Sequence, residues 1–218
     1  MKAMILAAGR GERMRPLTDH VPKPLLTIDQ HCLIEHHIFN LKAAGFNELV
    51  INTAWLAEKI HARLGDGSHY GVHIAYSDEE TALETGGGIK KALPLLGTEP
   101  FLVVNGDVWC DYPFDNLPKL AENHLAHLLL VDNPQQHPDG DFAICNQLLS
   151  NQTENRLTFS GIGIYKAALF NQPDQRFPLA PLLRTAADNQ QASAQYYAGQ
   201  WLDIGTPERL QQLRARLA

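Results

Sequence analysis

The chain has 218 residues, 44% of them hydrophobic and 19% charged, with a formal net charge of −6. That balance excludes long disorder and suits one well-cored domain spanning residues 1–218. The acidic excess also argues against general nucleic-acid binding, which needs a basic face.

Residues 2–8 are mostly apolar and predict a strand buried on both faces. The run is far shorter than an export signal, and it stops at Gly9-Arg10. No stretch approaches the roughly 20 apolar residues that would span a bilayer. Residues 32–45 predict a helix with Leu33, Ile34, Ile38 and Leu41 on one face and Gly45 as its stop. Residues 47–52 predict a strand, 55–64 a helix ended by Gly65-Asp66-Gly67, and 72–77 a further strand. Gly86-Gly87-Gly88 opens a helix expected to end at Pro94. Phe101 to Val104 is the most apolar strand in the middle of the chain.

Beyond this point the pattern is richer in strands, expected at 127–132, 141–149, 158–165, 195–197 and 201–204. Thr206-Pro207-Glu208 opens a closing helix, with threonine as N-cap and proline at N1. The alternation predicts an α/β fold: a three-layer α/β/α sandwich, Rossmann-like, around a mostly parallel mixed sheet. Cys32, Cys110 and Cys145 are odd in number and lack C-x-x-C spacing, which reads as reduced thiols in a cytoplasmic protein.

The chemistry gathers where strands end. In an open α/β sheet, ligands bind beyond the carboxyl ends of the strands. After the first strand the chain reads Gly9-Arg10-Gly11-Glu12-Arg13-Met14-Arg15-Pro16, with Pro22-Lys23-Pro24 close behind. Glycines let backbone N–H groups approach phosphate oxygens closely, and arginine and lysine neutralise the polyanion. No third glycine arrives before Pro16, so the dinucleotide fingerprint is absent, as is a Walker Gly-Lys-Ser/Thr. Asp107 and Asp203 each end an apolar strand beside a glycine. Two carboxylates near a triphosphate suit a hard cation such as Mg2+. The ten histidines show no zinc-like spacing; His124 and His127, three apart, would share a face only on a helix.

Leu6-x-x-Gly9-x-Gly11-x-Arg13-Met14-x-Pro16-Leu17-Thr18 followed by Pro22-Lys23-Pro24 resembles the signature of the sugar-1-phosphate nucleotidyltransferases. Leu83 to Gly88, Asn105-Gly106-Asp107, Gly140-Asp141-Phe142, Phe159 to Tyr165 and Trp201 to Thr206 resemble further segments of that family. Glu12 stands where the family usually has threonine. The resemblance implies a nucleoside triphosphate and a sugar 1-phosphate as partners, with Mg2+ as cofactor.

By that resemblance, Arg13 and Lys23 are catalytic. Leu6, Ala8, Gly9, Gly11, Glu84 and Gly88 bind nucleotide, Asn105, Asp141 and Ser160 bind the sugar, and Asp107 and Asp203 hold the metal. The branch it is most similar to transfers uridylyl from UTP to N-acetylmuramate α-1-phosphate in cell-wall recycling. Guanylyl, cytidylyl or thymidylyl transfer to mannose, heptose or glucose 1-phosphate, or to phosphocholine, remains open. So does a non-catalytic nucleotide-sugar-binding subunit, although such proteins usually lose one of the four reactive residues retained here.

Overall fold

The structure, a computed structural model, describes residues 1–217. Its strands are β1 (Ala3–Leu6), β2 (Thr27–Ile28), β3 (His31–Cys32), β4 (Glu48–Thr53), β5 (His73–Asp78), β6 (Phe101–Asn105), β7 (Val108–Cys110), β8 (Ala126–Val131), β9 (Ala143–Cys145), β10 (Leu148–Ser150), β11 (Thr158–Tyr165), β12 (Ala192–Tyr196) and β13 (Trp201–Asp203). The helices are α1 (Leu33–Ala43), α2 (Ala57–Leu64), α3 (Glu84–Leu96), α4 (Ala180–Asp188) and α5 (Pro207–Leu217).

Nine strands form one sheet in the order β5-β4-β1-β6-β11-β8-β12-β10-β9. Its pairings make β11 and β10 run against the other strands, so the sheet is mixed and mostly parallel. Alternation along β1 fixes the layers. Ala3 and Ile5 pack with Ile34, Ile38 and Leu41 of α1 and with Ile60 and Leu64 of α2. Met4 faces the other way, onto Ile89 and Ala92 of α3 and Leu183 and Ala186 of α4. The expected three-layer sandwich is therefore the observed one. Ile5 is fully buried, and truncating it to alanine would cost about 2–5 kcal/mol.

Local chemistry ends α1 as expected. Gly45 is left-handed at φ 86°, its N–H donates to Lys42 O, and Phe46 N–H donates to Leu41 O, which satisfies the last carbonyls.

Two expectations are corrected. Pro94 lies inside α3 and does not end it. Proline disturbs only the turn before it; the next turn is closed by Gly97 N–H to Leu93 O and held by buried Leu96. The expected strand over 141–149 is instead the hairpin β9–β10, because Asn146 and Gln147 both take positive φ, a two-residue turn that reverses the chain. His127 lies on β8, in agreement with the strand expected at 127–132. The short β2, β3 and β7 and the helix α4 had no expectation at all.

Candidate active site

The first strand delivers its loop to a junction of three sheet strands. Gly106 N–H donates to Leu6 O at 2.9 Å, and a Cβ on Gly106 would stand 2.4 Å from that oxygen. Only glycine lets the ends of β1 and β6 meet this closely. Asn52, buried at the end of β4, accepts from Ala7 N–H at 2.9 Å and donates to Glu79 Oε1 at 2.7 Å. Glu79 Oε2 accepts from Leu83 N–H at 2.9 Å. This chain of bonds ties the phosphate-type loop to the segment that starts α3.

Gly11 is left-handed at φ 69°, and a Cβ there would meet Thr18 Cγ2 at 3.1 Å and Lys23 Cβ at 3.3 Å. The Lys23 stem therefore lies against the glycine turn. Thr18 Oγ1 donates to Gly11 O at 2.9 Å and pins that turn. The Lys23 side chain is 9% exposed, and its Nζ reaches Asp107 Oδ2 at 2.7 Å. Arg10 and Glu12 pair at 3.2 Å, and Arg15 pairs with Asp19 at 2.7 Å. Arg10 also lies over the Trp55 ring at 4.5 Å. Arg13 makes no ion pair among the described residues, so its cationic charge is free for a ligand.

These elements enclose two adjoining clefts. The first, about 370 Å3, is lined by Leu6, Ala8, Gly9, Gly11, Lys23 and Glu84. The second, about 260 Å3, is lined by Gln136, His137, Phe159, Ser160, Trp201 and Asp203. Arg13, Asn105 and Asp107 line both.

Glu84 takes a left-handed φ of 60° at the mouth of the first cleft, and its carboxylate lies 3.5 Å from Arg176 Nε. Gly88 sits one layer behind: a Cβ there would meet Glu79 Oε1 at 2.7 Å and Asn52 Nδ2 at 2.9 Å. Its missing side chain makes room for the Asn52–Glu79 bond. Asn105 rests on Gly161 of β11, where a Cβ would come within 2.6 Å of Asn105 Nδ2; the register shift between Phe159 and Gly163 creates that seat.

Ser160 lines the second cleft, but its hydroxyl is committed to Leu129 O and Ile162 N–H. The Ser160 carbonyl accepts from Trp201 Nε1 at 2.9 Å and fixes the indole as a cleft wall. Asp141 stands behind the cleft, accepting from Phe159 N–H at 2.8 Å and from His137 Nε2 at 3.1 Å.

Asp107 and Asp203 are brought together by β7 and β13, where Asp203 is in register with Val108 and Ile204 N–H donates to Asp107 O at 2.8 Å. Each carboxylate already has a cation: Lys23 for Asp107 and Arg209 for Asp203. Among the described residues no group of three or more His, Cys, Asp and Glu forms a complete metal cage. An ion at this pair would have two protein carboxylates and take its other ligands from substrate.

Behind β7 lies His37, whose Nε2 is buried without a partner. Burial, opposed by the Val108 backbone and the Asp107 charge, lowers its pKa to about 4, so it is neutral in the fold.

Asn52, Glu79, Arg209 and His37 were missed in the sequence. For Asn52 a signal existed: it is a polar residue at the carboxyl end of an apolar strand, where an α/β sheet places ligands. Glu79 and Arg209 act through partners distant in sequence and carried no such signal.

Residues 2–145 match the family model described as nucleotidyl transferase. The chain is 52% identical over 226 aligned residues to the N-acetylmuramate alpha-1-phosphate uridylyltransferase of Neisseria meningitidis serogroup B, covering 99% of this chain and 97% of that one. It is 34% identical to the protein of the same description from Caulobacter vibrioides, covering 99% and 96%. In fold it is similar to a glucose-1-phosphate thymidylyltransferase structure, described as putative, from Bacillus anthracis in complex with sucrose. That similarity has a TM-score of 0.87 at 22% identity and covers 99% of this chain and 94% of that one. With its glycine loop, paired clefts and matched sequence, the chain belongs to the nucleotidyl transferase family.

Proposed function

We propose that this chain, acting as a single domain, transfers the uridylyl group of UTP to N-acetylmuramate α-1-phosphate, releasing pyrophosphate and UDP-N-acetylmuramate. The wall shared by the two clefts carries the reading: Arg13, Asn105 and Asp107 line both, so a donor in one and an acceptor in the other meet at these residues. The choice of UTP and of this acceptor is supported by the 52% identity to the Neisseria protein.

The chemistry needs little from the protein beyond charge and position. An oxygen of the sugar phosphate attacks the α-phosphorus, and the bond from that phosphorus to the bridging oxygen of the β-phosphate breaks. The nucleophile is ionised at neutral pH, so no general base is required. The Gly9–Gly11 loop and Arg13 hold the triphosphate. Lys23, which lines the first cleft and is bonded to Asp107 of the shared wall, bridges the α-phosphate and the sugar phosphate and offsets their mutual repulsion. The Asn52–Glu79 pair fixes the loop that receives the base.

Asp107 and Asp203 fit Mg2+, because they offer hard carboxylate oxygens on neighbouring strands and leave coordination places for phosphate. The ion, when bound, supplies neutralisation of charge on the α-phosphate and on the departing pyrophosphate.

The cytoplasm is the compartment this reading calls for, since UTP and reduced thiols belong there. Cys32 and Cys110 are buried free thiols whose pKa burial pushes up to about 12, so both are unreactive. No helix among the described residues is long and apolar enough to cross a membrane.

Pyrophosphate release measured for UTP, GTP, CTP and dTTP against a panel of sugar 1-phosphates tests the assignment. UTP with N-acetylmuramate α-1-phosphate should give the highest kcat/KM. Preference for dTTP with glucose 1-phosphate would overturn the substrates but not the reaction class.

A further inference from the structure

Of the residues lining the second cleft, only Arg13 and His137 can carry positive charge. Arg13 also lines the first cleft and so stands where the reacting phosphates meet. His137 lines the second cleft alone, on the loop between β8 and β9.

That loop is built to hold the imidazole still. Asn133 Nδ2 donates to Pro138 O at 3.0 Å and to Arg156 O at 2.9 Å, while its Oδ1 accepts from Thr158 Oγ1 at 2.9 Å. Gly140, left-handed at φ 61°, packs so closely that a Cβ would meet Asn133 Oδ1 at 2.7 Å. His137 N–H donates to Pro134 O at 2.9 Å. Asp141 is held by Phe159 N–H and accepts from His137 Nε2 at 3.1 Å. A carboxylate can only accept, so Nε2 is the protonated nitrogen and Nδ1 is left with no protein partner among the described residues. The ring is 42% exposed.

Taking the acceptor of the proposed function as given, its sugar carries two anionic groups: the 1-phosphate and the carboxylate of its lactyl ether. The cleft has two cationic positions on different elements. We propose that His137, oriented by Asp141, binds the lactyl carboxylate through Nδ1–H as an imidazolium and selects N-acetylmuramate α-1-phosphate over the same sugar without the ether. His137 is a specificity residue in this assignment, and Asp141 is a positioning residue that acts through it.

The test compares N-acetylmuramate α-1-phosphate with N-acetylglucosamine 1-phosphate on wild type, His137→Ala, His137→Lys and Asp141→Asn. The readout is KM, or the inhibition constant for a sugar that is not turned over. A charge-assisted hydrogen bond at a half-exposed site is worth about tenfold in affinity. His137→Ala should raise KM for the carboxylate-bearing sugar by about that factor, with kcat and the value for the other sugar unchanged. His137→Lys should restore part of the preference, and Asp141→Asn should lose several-fold of it. A melting temperature close to that of wild type is the check that each variant is folded. A wild type that prefers N-acetylmuramate α-1-phosphate while His137→Ala weakens both sugars equally, or neither, overturns this assignment alone. A wild type that ignores N-acetylmuramate α-1-phosphate overturns the acceptor reading and the assignment with it.

Discussion

Replacing Lys23 separates what the ammonium does for the reaction from what the side chain does for the fold. Its stem packs against Gly11 and its Nζ pairs with Asp107 at 2.7 Å. Lys23→Ala removes both. Losing the buried methylenes beyond Cβ costs about 2 kcal/mol at about 0.8 kcal/mol each. Losing the ion pair adds about 0–1 kcal/mol, because the Asp107 side chain is 41% exposed and is hydrated once left alone. In a chain of this size that total corresponds to a melting temperature lower by roughly 5–10 °C.

Lys23→Met keeps most of the stem and discards only the charge, so its melting temperature should fall by about 2–4 °C at most. Turnover should respond differently. A preorganised donor aimed at transition-state charge is worth about 10²–10³ in kcat, or roughly 3–4 kcal/mol. Both variants should therefore lose the same two to three decades of pyrophosphate release despite their unequal stabilities. If Lys23→Met keeps more than about a tenth of wild-type kcat, or loses only UTP affinity, Lys23 does not act on the reacting phosphates.

Asp107→Asn should lower the melting temperature, because the buried Lys23 ammonium loses its carboxylate, while raising the Mg2+ concentration for half-maximal activity and lowering kcat about 100-fold; an unaltered metal titration contradicts its ligand role. Gly88→Ala gains about 1 kcal/mol of helix propensity, yet its Cβ would stand 2.7 Å from Glu79 Oε1 and 2.9 Å from Asn52 Nδ2. The clash wins because both neighbours are buried and bonded, so KM for the triphosphate should rise at least several-fold, and a wild-type KM would show that the Asn52–Glu79 bond does not shape the cleft. Burial lowers the pKa of His37 and of His127 to about 4, below the ordinary 6.5. The unfolded chain thus binds more protons between pH 6.5 and 4, and stability present above pH 6.5 is lost as pH falls through that window. Each histidine should account for about 2 kcal/mol between pH 7 and 5; urea unfolding at the two pH values should show His37→Leu with a correspondingly flatter dependence, and an unchanged slope would mean His37 is not held neutral.

What was legible in the sequence was whatever a local rule determines. Gly45 closes α1 through its own left-handed backbone, and Thr206 and Pro207 start α5, with Arg209 N–H donating to Thr206 Oγ1 at 3.4 Å. The loop from Gly9 to Lys23 was legible as a cationic glycine turn through residue type and spacing alone. Pro94 misled because its effect is local and one-sided, while the helix continues under the pull of Leu96 on the core. Asn146-Gln147 hid a hairpin because neither residue is the glycine that usually marks such a turn. Gly88 lies in a segment expected to bind nucleotide, but nothing near it marks it as the space for a bond between Asn52 and Glu79, 27 residues apart. Long-range pairings of this kind have no signature in a neighbouring stretch of chain.

The same distinction explains how an acidic molecule of net charge −6 can receive two polyanions. Arg10 and Arg15 are paired with Glu12 and Asp19 and add little net field. Lys23 and Arg209 are paired with Asp107 and Asp203, so the junction carries its cations and its carboxylates in near balance before any ligand arrives. An unpaired buried ammonium at the Lys23 position would face a large desolvation penalty, and the Asp107 partner removes it. Arg13 alone stands exposed and unpaired at the wall common to both clefts. Long-range attraction for phosphate is therefore expected first from Arg13, whereas Lys23, buried and paired, would meet a phosphate oxygen through an ammonium N–H that Asp107 does not occupy. Arg13→Ala should accordingly slow association of the triphosphate with a steeper loss at low salt, whereas Lys23→Met should act after binding; equal salt dependence in the two variants would refute this division of labour.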